Sequence, residues 1–217
     1  QLKASAGVWR ETADLNDQQL ERLIREDRID ILIDLTLHMT GNRLSMFARR
    51  PAPVAATFIG YPATTGLTQI NYRITDVHLD PPGQTDSFNS ETLIYLRNSF
   101  WCYPEDADAP PVDALPAKSN GFITFGSLNN PCKMNAPVIA LWARVMHAVD
   151  GSRMLIALNE QDDEHAWVRQ AFERDGIAGD RLTFVSRLAR RKYLQAYGRV
   201  DIALDPFPYN GHMTSCD

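Results

Sequence analysis

The sequence lacks the features that mark a secreted or membrane-embedded protein. Its longest apolar runs fall far short of the roughly 20 residues that a transmembrane helix needs. The first residues, QLKASAGVWRET, contain no apolar core of a secretory signal. The cysteines, Cys102, Cys132 and Cys216, are few, far apart and in no C-x-x-C pair, which argues against a structural metal site. We therefore expect a cytoplasmic protein with no membrane segment and no bound metal.

Positive charge is also scarce. The formal net charge is −5 and the isoelectric point is about 5.5, and no basic stripe interrupts the chain. A nucleic acid is therefore not expected as a partner. With 217 residues, of which 44% are hydrophobic, the chain can bury the core of one large domain or two small ones.

The first half of the chain alternates short apolar runs with turns rich in proline and glycine. Residues 16–26 predict a helix that Asn16 caps, with Gln19 completing a capping box. The β-branched run IDILIDL predicts a buried strand. The predicted strands of this half are 29–35, 54–60, 71–75 and 92–96.

Residues 104–120 are rich in Pro, Asp and Ala and lack apolar periodicity, which predicts a surface linker. After it, strands and helices alternate regularly, which predicts a parallel sheet covered on both faces. The predicted strands are 122–127, 153–158, 181–186 and 201–205, and the predicted helices are 136–149, 164–176 and 190–198. The apolar sequence DIALD at 201–205 predicts an interior strand.

Polar residues follow the first and the last strand of this second half. GSLNNPCKMN (126–135) carries Lys133, and PYNGHMTSCD (208–217) carries His212. Ligands of open parallel sheets bind at the carboxyl ends of strands, where helix N-termini supply free N–H groups. Asn and Gly also favour ordinary turns, so the pattern by itself leaves both a ligand site and simple loop chemistry open.

Several segments together resemble one family. They are DILIDLTLHMTGNRLSMFARRPAPVAATFIGYPATTGLTQINYRITD (30–76), GFITFGSLNNPCKMN (121–135), WARVMHAV (142–149) and DIALDPFPYNGHMTSCD (201–217). They are similar to the catalytic region of the O-GlcNAc transferase family, which includes the plant SPINDLY proteins and bacterial homologues. The resemblance implies an α/β fold of the GT-B type, in which two Rossmann-like domains face a cleft.

The resemblance also implies the domain organisation. Residues 1–103 correspond to part of an N-terminal catalytic domain, 104–120 to a linker, and 121–217 to the first part of a C-terminal domain that binds a nucleotide sugar. We expect the second domain to be incomplete and the chain alone to be inactive. The family's tetratricopeptide repeats, which have no counterpart in this sequence, are expected N-terminal to it in the full-length protein.

By the same resemblance, the expected activity is inverting, metal-independent transfer of a sugar to Ser or Thr of a protein. GlcNAc from UDP-GlcNAc is the expected donor group, and no cofactor is implied. A SPINDLY-type O-fucosyltransferase using GDP-fucose is an alternative, since no residue of the sequence decides the donor. A second alternative is a non-catalytic remnant that binds a nucleotide sugar or another protein.

The resemblance assigns roles to residues of the second half. Lys133 matches the lysine that meets the donor diphosphate and stabilises the leaving nucleotide. The other expected donor-binding residues are Asn130, Tyr193, His212, Thr214, Ser215 and Asp217. An alternative for Tyr193 is packing within its helix, and an alternative for His212 is a locally satisfied turn histidine.

In the first half, the resemblance makes His38 a catalytic residue that takes the proton of the acceptor hydroxyl. Asp76 matches an aspartate proposed for proton relay, with capping of its own strand end as the structural alternative. The loop with Tyr61, Pro62, Thr64 and Gly66 matches a segment that lines the cleft.

The chain departs from the family pattern at three positions. Leu37 replaces a glycine, and we expect that leucine cannot adopt the backbone angles that glycine allows. Met39 and Met213 each replace a threonine, and Met213 removes one hydroxyl that would contact phosphate. Asp30 lies where animal members carry a candidate base. These departures leave it open whether the transferase activity is retained.

Overall fold

The computed structural model describes residues 2–60, 62–104, 106, 109–159, 162–186 and 188–217. The chain forms two compact units, Gln1–Cys102 and Tyr103–Asp217. Each unit contains one four-stranded sheet. Among the described residues, no helix is both long and apolar enough to cross a membrane.

Unit 1 is built around a parallel sheet whose strands follow one another in chain order, β1-β2-β3-β4. Its strands are β1 (Ile31–Asp34), β2 (Val54–Thr57), β3 (Tyr72–Thr75) and β4 (Thr92–Tyr95). Its helices are α1 (Leu2–Ser5), α2 (Asp17–Glu26) and α3 (Leu44–Phe47), with a 3₁₀ turn at Asp86–Phe88. The four strands lie within the ranges that the sequence predicted.

Helix α2 forms as its sequence predicts. The Asn16 side chain accepts from the Gln19 amide at 2.9 Å, and the Gln19 side chain accepts from the Asn16 amide at 3.0 Å. This reciprocal pair satisfies two N–H groups that the first helical turn leaves without partners. The buried side chains Leu20 and Ile24 then pack against α3 and β2 to form the core of the unit.

Only one face of β1 is buried. Leu32 packs against the core and Asp34 is buried, whereas Ile31 on the other face is 61% exposed. The sequence predicted a strand at 29–35 that is buried on both faces. The burial is confirmed for one face and is wrong for the other. The exposed side chains Ile31 and Ile33 show that the described residues do not cover this face of β1. The strand also pairs with β2 on one side only and so forms an edge of the sheet. An apolar run alone does not distinguish an edge strand from a central one.

A buried ion pair joins β3 to the turn that follows it. Arg73 Nη2 lies 2.7 Å from Asp80 Oδ2, and both side chains are almost fully shielded from solvent. Burial alone would raise the pKa of the Asp80 carboxyl, but hydrogen bonds from Arg73 and Thr75 outweigh it and lower the pKa. Arg73 also donates to Asn89 at 2.9 Å, so the pair links three segments of unit 1.

Unit 2 has a parallel sheet in the order β7-β6-β5-β8. Its strands are β5 (Thr124–Ser127), β6 (Arg153–Ala157), β7 (Leu182–Val185) and β8 (Ile202–Ala203). Its helices are α4 (Ala117–Asn120), α5 (Ala136–Ala148), α6 (Asp162–Arg174), α7 (Arg190–Tyr197) and α8 (Met213–Cys216), with 3₁₀ turns at Pro131–Lys133 and Gly179–Arg181. The chain builds outward from β5 in one direction and then returns to its other side, which creates a topological switch point between β5 and β8.

The core of unit 2 lies between the sheet and helices α5 and α6. It includes Ile139, Trp142, Met146, Met154 and Phe172, all almost fully buried. Asn135 caps α5 by accepting from the Val138 amide at 3.0 Å. The alternation of strands and helices after residue 121 is thus as the sequence predicts.

Two features of unit 2 differ from the expectation. The segment 104–120 contains helix α4, and the Asp201 carboxylate accepts from the Ala117 amide at 2.9 Å and so ties this helix to the sheet. The strand predicted to be interior, β8, pairs with β5 only, and Ile202 is exposed. In this structure β8 is therefore an edge strand, as β1 is in unit 1.

We predict that Asp80→Asn destabilises unit 1 by about 3–5 kcal/mol at neutral pH, because the Arg73 guanidinium stays buried without its carboxylate. Because the folded-state pKa of Asp80 is lowered, the pair stabilises the fold above the unfolded-state pKa of about 3.9. This contribution is lost as the pH falls through the folded-state value, so the two proteins should converge in acid.

Urea denaturation across pH measures this difference. Asp27→Asn is the matched control, since Asp27 pairs with Arg10 at the surface and its loss should change stability little. Equal stabilities for Asp80→Asn and the wild type at pH 7 would contradict the prediction.

Candidate functional site

Two loops meet at the carboxyl ends of β5 and β8. The Lys133 ammonium donates to the Asn210 carbonyl at 2.7 Å. The Asn129 side-chain amide donates to Asp205 at 3.0 Å. These bonds join the segment after β5 to the segment after β8, at the topological switch point where open α/β sheets bind ligands. The sequence paired the same two segments.

Lys133 is not an ordinary surface lysine. Its ammonium lies 4.9 Å from the centre of the Tyr209 ring and also contacts the Asn210 carbonyl. Burial lowers its pKa, and the negative charge of Asp205 opposes this effect in part. The side chain therefore presents a partly desolvated cation at the sheet edge, which suits a phosphate group.

His212 precedes the short helix α8. Burial lowers its pKa, and the positive charge of Lys133 lowers it further. Both effects favour the neutral imidazole, which can donate one hydrogen bond. Helix α8 spans Met213–Cys216. Met213 is exposed at its first position.

The two asparagines after β5 behave differently. Asn130, which the resemblance assigns to the nucleotide, is exposed and accepts from the Cys132 amide at 3.1 Å. It thereby caps the 3₁₀ turn that carries Lys133. Its neighbour Asn129 is only 6% exposed, and the sequence analysis did not single it out. The available signal was its place two residues after the end of the fully buried strand β5.

A cavity of about 200 Å³ opens beside these asparagines. It is lined by the ends of β5, β6 and β7 and by α7, through Leu128, Asn129, Asn130, Ala157, Val185, Ser186, Leu188 and Tyr193. Pockets for whole small ligands are usually about 300–1,000 Å³, so this space suits one planar part of a larger ligand.

Tyr193 lines the cavity and also packs within its helix. Its ring meets the Tyr197 ring edge to face at 5.5 Å, and the two hydroxyls lie 3.0 Å apart. Tyr197 donates to the Thr214 carbonyl at 3.0 Å, so Tyr193 is the donor to Tyr197. Burial raises the pKa of both phenols. Tyr193 can therefore pack within its helix and still face a ligand in the cavity, so the two alternatives left open for it are compatible.

Two expected donor-binding groups are bound by protein partners in this structure. The Ser215 hydroxyl donates to the Asp205 carboxylate at 2.8 Å. The buried Asp217 carboxylate accepts from Arg190 at 2.6 Å and from the Tyr103 hydroxyl. Burial alone would raise the pKa of Asp217, but these hydrogen bonds lower it. A contact of either side chain with a nucleotide requires an exchange of partners.

In unit 1, His38 contacts the loop after β2. Its Nε2 lies 3.0 Å from the Thr64 carbonyl oxygen. A carbonyl only accepts, so Nε2 carries the hydrogen, and Nδ1 of the neutral ring carries the lone pair. The exposed imidazole can therefore take a proton at Nδ1, as the assigned role requires.

The expectation for Leu37 is wrong. Leu37 adopts φ +48°, in the left-handed region, with its side chain 1% exposed. Such a backbone costs about 1–2 kcal/mol for a residue with a Cβ. Burial of a leucine side chain contributes about 1.5–3 kcal/mol. The Leu37 amide also donates to Asp34 at 2.9 Å, so the loop keeps its conformation without the glycine.

Asp76 is buried and accepts from three backbone amides, those of His78, Leu79 and Phe100. Burial alone would raise its pKa, but the three N–H groups lower it. A carboxylate with a lowered pKa holds a proton poorly at neutral pH. The geometry favours the structural alternative, in which Asp76 caps its own strand end.

The loop 62–66 is held by a residue that the sequence analysis missed. Thr64 donates to Glu91 at 2.7 Å, and Gly66 takes φ +73°. Of the four residues assigned to this loop, Pro62, Thr64 and Gly66 are described, and Tyr61 lies outside the described residues. The role of Glu91 in holding this loop is seen from its buried position in the structure, and no sequence pattern indicates it.

The described parts of both units contain no group of three or more His, Cys, Asp or Glu side chains that could hold a metal ion. The charged side chains after β5 and β8 include Lys133, Asp205 and Asp217, and Asp217 pairs with Arg190 of α7.

Comparison with known proteins gives one consistent result. The profile of Glycosyl transferase family 41 matches residues 13–106. The SPINDLY protein of Petunia hybrida, named as a probable UDP-N-acetylglucosamine–peptide N-acetylglucosaminyltransferase, is 44% identical over 97% of this chain. The protein of the same name from Solanum lycopersicum is 42% identical over the same share. The chain spans 23% of the length of each of these relatives.

A solved structure agrees with the sequence matches. A mutant O-GlcNAc transferase of Thermobaculum terrenum superposes on 99% of this chain with a TM-score of 0.87 and 36% identity, and the chain covers 41% of it. The chain thus has the α/β fold of the GT-B type, with two Rossmann-like domains. Sequence and fold together confirm the resemblance to the O-GlcNAc transferase and SPINDLY proteins, of which this chain spans a part.

Proposed function

We propose that this chain is part of a protein O-glycosyltransferase that moves GlcNAc from UDP-GlcNAc to a Ser or Thr hydroxyl. The observation that carries the proposal is the contact of Lys133 with the loop after β8, at the switch point of the unit 2 sheet. The names of the plant relatives, which specify a UDP-N-acetylglucosamine donor and a peptide acceptor, support the proposal.

In this proposal, unit 2 binds the nucleotide-sugar donor. The cavity beside Asn129 and Tyr193 takes the nucleobase, whose flat ring can stack on the tyrosine. Lys133 and the neutral His212 face the diphosphate. On binding, the Lys133 ammonium leaves the Asn210 carbonyl for a phosphate oxygen, an exchange that charge favours.

The transfer step needs a nucleophile, a leaving group and a base that accepts the proton of the nucleophile. The acceptor hydroxyl oxygen bonds to the anomeric carbon as the bond from that carbon to the diphosphate oxygen breaks, with inversion. His38 takes the hydroxyl proton at Nδ1. Lys133 stabilises the charge that develops on the leaving diphosphate, so the step needs no metal ion.

The wider setting follows from the same proposal. The partners are a nucleotide sugar and a protein substrate, with tetratricopeptide repeats elsewhere in the full-length chain and a cytoplasmic location.

A non-catalytic module that binds a nucleotide sugar is the second candidate, and a specific observation favours it. Met213 lacks the hydroxyl of its family counterpart, while Ser215 and Asp217 are held by protein groups.

A thermal-shift screen tests the proposal on a protein extended beyond this chain at both ends. UDP-GlcNAc, UDP-glucose and GDP-fucose are compared, followed by a transfer assay with a Ser-rich peptide. UDP-GlcNAc binding with transfer supports the proposal. Binding of GDP-fucose alone favours the O-fucosyltransferase, and binding without transfer favours the non-catalytic module.

We predict that Lys133→Ala weakens binding of a nucleoside diphosphate by about 10- to 150-fold. This range corresponds to the loss of one charge-assisted hydrogen bond, about 1.5–3 kcal/mol. The melting temperature should change little, because the side chain lies at the surface edge of the sheet. Fluorescence titration of the extended protein measures the affinity, with the exposed Lys118→Ala as control. Unchanged binding in Lys133→Ala would remove Lys133 from the site.

We also predict that Met213→Thr strengthens binding of the same nucleotide, because it restores a hydroxyl at the first position of α8. The residue is exposed, so the change should not disturb the core. Met39→Thr, the same substitution at an exposed position of unit 1, is the matched control. Equal or weaker affinity in Met213→Thr would show that this side chain does not face the phosphates.

A further inference from the structure

Glu91 is a buried carboxylate without a cationic partner. It lies directly before β4 and is only 6% exposed. Among the described residues, no Lys, Arg or His nitrogen comes within 4.0 Å of its carboxylate oxygens. Burying an unpaired charge is costly, so such a group persists only where hydrogen bonds compensate for the lost water. The hydrogen bonds of Glu91 therefore show which segment of the chain the carboxylate fixes in place.

Among the described residues, the hydrogen bonds to this carboxylate come from the loop 62–66. Glu91 Oε2 accepts from the Thr64 hydroxyl at 2.7 Å. Glu91 Oε1 accepts from the Thr65 amide at 2.7 Å and from the Thr65 hydroxyl. The Thr64 hydroxyl oxygen in turn accepts from the amides of Gly66 and Ser90, each at 3.1 Å. The carboxylate thus fixes the loop at two consecutive residues.

The Thr64 carbonyl and the Thr65 amide belong to one peptide group. A trans peptide is planar, and its C=O and N–H point in opposite directions. Glu91 accepts from the N–H, so the C=O must point away from Glu91. On that opposite side, the Thr64 carbonyl accepts from His38 Nε2 at 3.0 Å. One rigid group therefore connects Glu91 to the imidazole.

We propose that Glu91 is a positioning residue that holds His38 through the Thr64–Thr65 peptide group. This inference rests on the proposed function, in which His38 takes the acceptor proton. The negative carboxylate polarises the peptide group and strengthens the hydrogen bond that its carbonyl accepts. The bond keeps the hydrogen on Nε2 and fixes the plane of the ring. Nδ1 is thereby left unprotonated and aimed in one direction.

The first test uses the extended protein and needs no activity. Long-range ¹H–¹⁵N spectra of the imidazole report which ring nitrogen carries the hydrogen and how fast that hydrogen exchanges with water. In the wild type, we expect His38 to show a slowly exchanging Nε2–H. Glu91→Gln should speed this exchange at least about tenfold, because an amide cannot accept all three hydrogen bonds of the carboxylate.

Two further variants keep this test decisive. Ile24→Ala removes core packing beside the residues that precede β1, and it should lower stability without changing the His38 spectrum. Glu91→Asp keeps the charge and serves if Glu91→Gln does not fold, with an intermediate exchange rate expected. An unchanged His38 spectrum in the Glu91 variants, or the same change in Ile24→Ala, would overturn the proposal.

The second test is a double-mutant cycle in the extended, transferring protein. Glu91→Gln should lower kcat roughly tenfold and leave the KM for the nucleotide sugar nearly unchanged. In a His38→Ala background, Glu91→Gln should cause no further loss of kcat, because Glu91 acts only by holding the His38 imidazole, which is then absent. Independent, multiplying losses would overturn the proposal. Absence of transfer in the wild type would instead refute the proposed function, and the spectra of the first test would still decide the role of Glu91.

Discussion

The pairing of β8 with β5 determines where the polar residues of unit 2 lie. Because β6 occupies one side of β5, a strand that pairs with β5 adds to its other side; β8 does so, and the carboxyl ends of β5 and β8 become neighbours. Lys133 and Asn129 leave β5 on short connections, while Asp205 and Asn210 leave β8 in the same way. Their hydrogen bonds are a consequence of strand order, since no local sequence signal brings residues this far apart in the chain into contact.

Much of the fold follows from the sequence because its elements obey local rules. The capping box at Asn16, the cap at Asn135 and the alternation after residue 121 each depend on neighbours within a few residues, which the sequence displays directly. Edge and central strands differ only in what lies beside them. The burial of β1 and β8 was therefore predicted wrongly, although their positions were predicted well.

The candidate site was predictable in its location and less so in its contacts. The resemblance identified Lys133, His212 and His38, and the structure gives each a chemically suitable environment. It could not show that Asn130 caps its own turn while Asn129 is the buried neighbour, because the two residues are chemically identical. Nor could it show that Leu37 adopts a left-handed conformation, since the burial that offsets the strain depends on the whole unit.

The shortness of β8 has a consequence for the temperature range of the protein. Only Ile202 and Ala203 pair with β5, whereas β6 pairs with β5 over four residues. Proteins open locally at their least stable segments well before they unfold as a whole. If β8 detaches, Asp205 and Asn210 lose their hydrogen bonds to Asn129 and Lys133 together. Local opening at these two residue pairs is thus expected to separate the segments after β5 and β8 at a lower temperature than the one at which the core of unit 2 unfolds.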